Sequence, residues 1–114
     1  MHVKELLQSL RKNSGVSGSA LISRDGVVIA SDCPEDVANE SFAIMCATVM
    51  GAANTINTEL KMSELENIII YSNDGKIVLK GAGRKNLLVV IIDNSYPIET
   101  VTSKMAEIVD EMLN

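Results

Sequence analysis

The sequence predicts an α+β fold, an α/β sandwich with one long helix on one face of a five-stranded antiparallel sheet and two terminal helices on the other. Three observations carry this. Apolar residues recur at helical spacing in three segments and in strand-length runs in five, in the order α-β-β-α-β-β-β-α. Every strand-to-strand link is a short turn, which joins antiparallel neighbours. Leu87–Ile92 is apolar without interruption, so that strand has no wet side and belongs at the centre, covered on both faces. With three helices for two faces, the long one lies opposite the terminal pair.

His2–Lys12 opens the chain with Val3, Leu6, Leu7 and Leu10 on one helical side and Lys4, Glu5, Gln8 and Arg11 on the other. Asn13-Ser14-Gly15 stops this helix. Strands at Ser17–Ser23 and Val27–Ser31 flank Asp25-Gly26, a hairpin signal because tight hairpin turns need positive φ. Cys33-Pro34-Glu35-Asp36 then turns the chain into a helix over Val37–Leu60, capped by Asp36 or Asn39, with acid near its positive end. Leu65–Ser72 reads as a strand, Asn73-Asp74-Gly75 as a turn, and Lys76–Lys80 as the returning strand. Gly81-Ala82-Gly83-Arg84-Lys85-Asn86 connects it to the strand Leu87–Asp93. Pro97 opens the last helix, to Leu113, with Ile98, Val101, Met105, Ile108, Val109 and Met112 on one face. The 114 residues make a single domain, 1–114, large enough for a core without a disulfide or metal staple.

The composition excludes several classes of function. A net charge of −5 and a pI near 4.8 leave no basic footprint for nucleic acid. Phe42, Tyr71 and Tyr96 are too few and too scattered to stack bases. The lone histidine, His2, stands at a terminus, and no HExxH or GxxxxGK[ST] pattern occurs. Cys33 and Cys46 form neither a CxxC pair nor a zinc set. Cys46 lies among apolar residues as a small hydrophobe, and nothing near Cys33 in sequence would lower its pKa. Glu64 with Glu66, and Glu107 with Asp110 and Glu111, sit where solvated charges sit. No catalytic residue, cofactor or metal is therefore expected. The charged, amphipathic N-terminus is unlike a signal peptide, and the polar residues within Ser41–Thr58 argue against membrane insertion. A cytoplasmic location is the expectation.

The long helix carries the main functional signal. Ser41–Thr58 lies between Glu40 and Glu59 without one charged residue, although a surface helix normally keeps a charged side for water. Phe42, Met45, Val49, Ala53 and Ile56, with Cys46 beside them, are assigned to the sheet. Ala43, Ala47, Met50, Asn54 and Asn57 are assigned to a partner, because small residues permit close approach and Met adapts to a second surface. The following strand supports this: if it lies at the sheet edge, Ile68, Ile69, Ile70 and Tyr71 form an edge without Lys, Pro or a bulge to guard it. Pairing with a second copy would satisfy that edge through a two-fold contact.

Over nearly its whole length the chain resembles the roadblock (dynein light-chain) family. The resemblance rests on the order and spacing of Gly15-Val16-x-Gly18, the Asp25-Gly26 hairpin with Ile29-Ala30-Ser31, the acid-capped long helix, and Gly81-Ala82-Gly83 before an apolar strand. It implies a profilin-like sheet and a homodimer, or a heterodimer with a related subunit. It further implies a partner among small Ras-like GTPases, or service as a scaffold or motor light chain. In such dimers the strand after the long helix pairs edge to edge with its copy, and the long helices pair across the axis.

Gly81–Asn86 could pass for a phosphate cradle, but such loops deliver an anion to a helix N-terminus, and this one feeds a strand. Arg84 and Lys85 are instead candidate contacts for an acidic partner such as a GTPase. Arg11, Arg24 and Arg84 are all available for an arginine-finger contribution, and the sequence singles out none of them. The alternative reading is a small-molecule sensor domain, which needs a pocket with convergent polar groups in an interior that reads as aliphatic.

Overall fold

A computed structural model describes residues 2–12, 15–34 and 37–114. Among these the elements run α1 (Val3–Arg11), β1 (Val16–Ser23), β2 (Val28–Asp32), α2 (Glu40–Glu59), β3 (Ile68–Tyr71), β4 (Gly75–Ala82), β5 (Asn86–Asp93) and α3 (Ile98–Leu113). The expected order is observed. The Asn13-Ser14 stop of the first helix, the Glu35-Asp36 turn and the Asp36 cap lie outside the described residues.

The strands form one open sheet in the order β2-β1-β5-β4-β3, with every neighbouring pair antiparallel. β5 is the central strand, and Leu87, Leu88, Val89, Val90 and Ile92 are buried, as its unbroken apolar run requires. The Asp25-Gly26 turn closes with Gly26 at φ +91, a conformation that favours glycine. β4 extends beyond the expected Lys76–Lys80 because it pairs with β5 along its whole length, from Gly75↔Asp93 to Ala82↔Asn86. Gly75 is required there, since a Cβ would stand 2.3 Å from the Ile92 carbonyl oxygen. β3 is shorter than expected: Leu65, Glu66 and Asn67 stay outside the ladder, and Leu65 packs under α2 instead.

α2 starts at Glu40 rather than Val37, because Asn39 caps it with Oδ1 accepting the Phe42 N–H at 2.9 Å. Its C-terminus closes on Lys61 at φ 56, with Lys61 N–H donating to Thr58 O at 3.0 Å and Met62 N–H to Asn57 O at 3.1 Å. This is the Schellman arrangement, with lysine where glycine is usual.

Two apolar layers flank the sheet. On one face, Leu7 and Leu10 of α1 and Val101, Met105, Ile108, Val109 and Met112 of α3 pack on Val16, Leu21, Val78, Leu88, Val90 and Ile92. On the other, Ala43, Cys46 and Met50 of α2 pack on Ala20, Ile22, Leu79, Leu87 and Val89. The long helix is therefore turned about its axis relative to the sequence-based expectation: Cys46 and Phe42 pack toward the sheet as expected, but Met45, Val49 and Ile56 do not. Met50 is 3% exposed and Ala43 fully buried, whereas Met45 is 58% and Ile56 61% exposed. Phe42 and Ala53, from the stripe assigned to the sheet, are half-buried. The small residues let α2 settle close to its own sheet, and the bulky ones are left outside.

Candidate functional site

The bare side of α2 carries Ile44, Met45, Val49 and Ile56, and the apolar exposure continues past its end through Leu60 and Met62. The polar residues on this helix add little polarity. The hydroxyls of Thr48, Thr55 and Thr58 donate to the carbonyls of Ile44, Gly51 and Asn54 at 2.8, 3.1 and 2.9 Å. Each threonine thus satisfies its donor within the helix. Gly51 is also exposed, and a Cβ there would meet nothing within 4 Å. A glycine inside a helix costs about 1 kcal/mol relative to alanine, and no packing within the described chain explains it.

The two edges of the sheet differ. On β2 the ammonium of Lys4 donates to the Ser31 carbonyl, which places a charge on that strand. On β3 no lysine, proline or bulge interrupts the regular pairing Ile68↔Leu79 to Tyr71↔Lys76. Tyr71 is 66% exposed, with the Lys76 ammonium from the neighbouring strand 5.6 Å from its ring centroid. Ile68 packs into the α2-side core and Ile69 into the opposite one. Strand alternation then places Ile70, 37% exposed, on the α2 side. A bare edge and a bare helix face thus belong to the same side of the sheet.

The expected interface residues divide accordingly. Ile70 and Tyr71 lie open at the edge, and Ile68 and Ile69 are half-buried beside them. Ala43 and Met50 are enclosed by their own sheet and cannot meet a partner, while Ala47, Asn54 and Asn57 are half-buried on that inner side. Their place on the outer surface is taken by Ile44, Met45, Val49 and Ile56. The signal in the sequence is a stripe of small residues beside a stripe of bulky ones, and the small one, with Cys46 and Phe42, is the one seated on the sheet.

The arginines also separate. Arg11 Nε pairs with the buried carboxylate of Asp32 at 2.9 Å, and Arg24 Nη2 donates to the Gly83 carbonyl at 2.9 Å. Arg84 and Lys85 are exposed on the β4–β5 turn, and Arg84 has no ion pair or hydrogen bond among the described residues. Burial pushes the Cys33 thiol above its ordinary pKa, and its Sγ donates to Ser19 O at 3.3 Å, the reverse of an activated nucleophile. Among the described residues no three His, Cys, Asp or Glu side chains stand together for a metal, and no helix is long and apolar enough to cross a membrane.

The Roadblock/LC7 domain family model matches residues 2–92. An uncharacterized protein of Methanocaldococcus jannaschii, MJ0714, is 31% identical over 110 residues, covering 96% of this chain and 92% of its own. Among solved structures, Myxococcus xanthus MglB superposes with a TM-score of 0.89 at 20% identity, over 96% of this chain and 90% of that one. Acanthamoeba castellanii profilin II shares the fold, with a TM-score of 0.66 at 14% identity over 97% and 93% of the two chains. The profilin-like sheet is thereby established.

Proposed function

Because the chain belongs to the Roadblock/LC7 domain family, we propose that it is a dimeric interaction module without a catalytic site of its own. Its role is to bind a small Ras-like GTPase and regulate it, or to serve as a light chain or scaffold for such a partner, in the cytoplasm. The observation that carries this is the uncharged outer face of α2 on the same side of the sheet as the unguarded β3 edge. A second copy related by a two-fold axis would continue the sheet through β3 and set the two α2 helices side by side. Gly51 and the internally bonded threonines favour a close helix approach without desolvating a free hydroxyl.

Regulation would act on the conformation of the GTPase rather than by a donated base; among the described residues no acid–base or nucleophilic pair is assembled. Arg84 is the arginine left free for an acidic partner surface, with Lys85 next to it. Sedimentation at micromolar concentration tests the dimer, and a monomer would overturn it. Titration of a Ras-like GTPase from the same organism, in both its GDP and GTP-analogue states, tests the partner. Absence of binding in both states removes the reading for that pair.

A further inference from the structure

A cavity of about 670 Å³ opens on the inner side of α2, away from the bare stripe, between the approach to β3, the β4–β5 turn and the end of α3. Its volume falls in the range of small-molecule sites. Five charged side chains line it: Arg24, Lys80 and Arg84 against Glu64 and Glu66. No two of them form an ion pair, and Lys80, Arg84, Glu64 and Glu66 have no hydrogen-bond or ionic partner among the described residues. Between the charges, Met50, Leu65, Val109 and Leu113 provide apolar walls.

Arg24 is held in place before any ligand arrives. Its Nη2 donates to the Gly83 carbonyl, and its guanidinium occupies the space above Gly81, where a Cβ would stand 2.7 Å from that nitrogen. The Nε of the same group is buried without an acceptor. An arginine seated this way, with two more cations beside it, suits a carboxylate. A polyanion is disfavoured by Glu64 and Glu66, and a simple cation by the three basic groups. A ligand that carries both signs on an apolar body satisfies all three parts of the lining.

We propose that this cavity binds a zwitterion with an apolar side chain, an amino acid or dipeptide. Its carboxylate lies toward Arg24 and Arg84, its ammonium toward Glu64 and Glu66, and its side chain against Met50, Leu65, Val109 and Leu113. The site lies apart from the bare stripe of α2, and it shares Arg84 with the surface proposed above for an acidic partner.

Titrating the full chain with L-leucine and with leucyl-leucine, read by calorimetry and by amide chemical shifts, tests this. Saturable binding is expected, with shifts concentrated at Glu64–Glu66 and Gly81–Lys85. N-acetyl-leucine and leucinamide, each lacking one charge, should bind at least about tenfold more weakly. Arg84→Gln and Glu64→Gln, both at exposed positions, should each weaken leucine about tenfold with an unchanged melting curve. Several outcomes overturn the proposal: no saturable binding of either probe up to about 10 mM, leucinamide binding as well as leucine, or inorganic phosphate binding more tightly than both. Because the assay needs neither a GTPase nor a particular oligomeric state, its failure leaves the functional reading above untouched.

Discussion

Met45 and Met50 stand little more than one helical turn apart on α2, and a glutamate at each should do opposite things. Met50 is 3% exposed within the α2-side core, so Met50→Glu removes about 1.5–3 kcal/mol of side-chain burial. It also forces a carboxylate into that layer or lifts the helix from it, adding several kcal/mol more. Against a total stability of about 5–15 kcal/mol, the variant should be largely unfolded or melt about 15 °C or more below wild type. Met45 is 58% exposed, and Met45→Glu should change monomer stability by less than about 0.5 kcal/mol. In a two-fold dimer the same change occurs twice, and at about 1–2 kcal/mol per copy it should weaken association by roughly 30- to 1,000-fold. Thermal unfolding followed by circular dichroism reads the first effect, and sedimentation equilibrium reads the second. A Met50→Glu protein that melts like wild type would refute the assigned orientation of α2. A Met45→Glu protein that stays as dimeric as wild type would refute the bare face as the interface.

Further outcomes are open to direct measurement. Ile70→Lys places a charge on the β3 edge and should shift sedimentation toward monomer with little loss of melting temperature. Lys61→Gly relieves a left-handed residue at the end of α2 and should add about 0.5–1 kcal/mol in urea unfolding. Gly75→Ala drives a Cβ into the Ile92 carbonyl and should cost about 2 kcal/mol or more by the same measurement. Burial raises the Cys46 thiol from 9.0 to about 11, so the folded state holds its proton more tightly than the unfolded chain. Its contribution is then complete below pH 9 and is lost as pH rises toward 11; urea melts at pH 8 and 10.5 should differ less in Cys46→Ala than in wild type.

Much of the fold was legible because local and long-range signals agree in this chain. Asp25-Gly26 needs a turn that glycine readily makes, Leu87–Ile92 cannot tolerate a wet side, and the α3 stripe repeats at helical spacing. The orientation of α2 was not legible for a definite reason. Both of its long sides are uncharged, so hydrophobicity hardly distinguishes them, and bulk alone points to the wrong residues as buried. Ala43 and Cys46 are buried because a helix seated close on a sheet needs small side chains beneath it, a consequence of interlayer distance that periodicity does not encode. The edge position of β3 depended on β5 returning to pair with β1, a contact between the two ends of the chain. The seating of Arg24 on Gly81 and Gly83 joins residues nearly sixty positions apart, and a glycine-rich turn alone gives no hint of which side chain it receives.

The strand order has a consequence for how the molecule is made. β3 has β4 as its sheet neighbour, and β4 is anchored in turn by β5, the last of these five strands in chain order. While Asn86–Asp93 is still unmade, β1 has an empty side and the β3–β4 hairpin has no sheet to join. Hairpins of this kind are marginal in isolation. The edge that would recruit a second copy therefore becomes a fixed surface only after β5 has been inserted. In the proposed dimer, assembly through β3 would wait for the insertion of β5, which would lower the chance that half-made copies join each other in the wrong register.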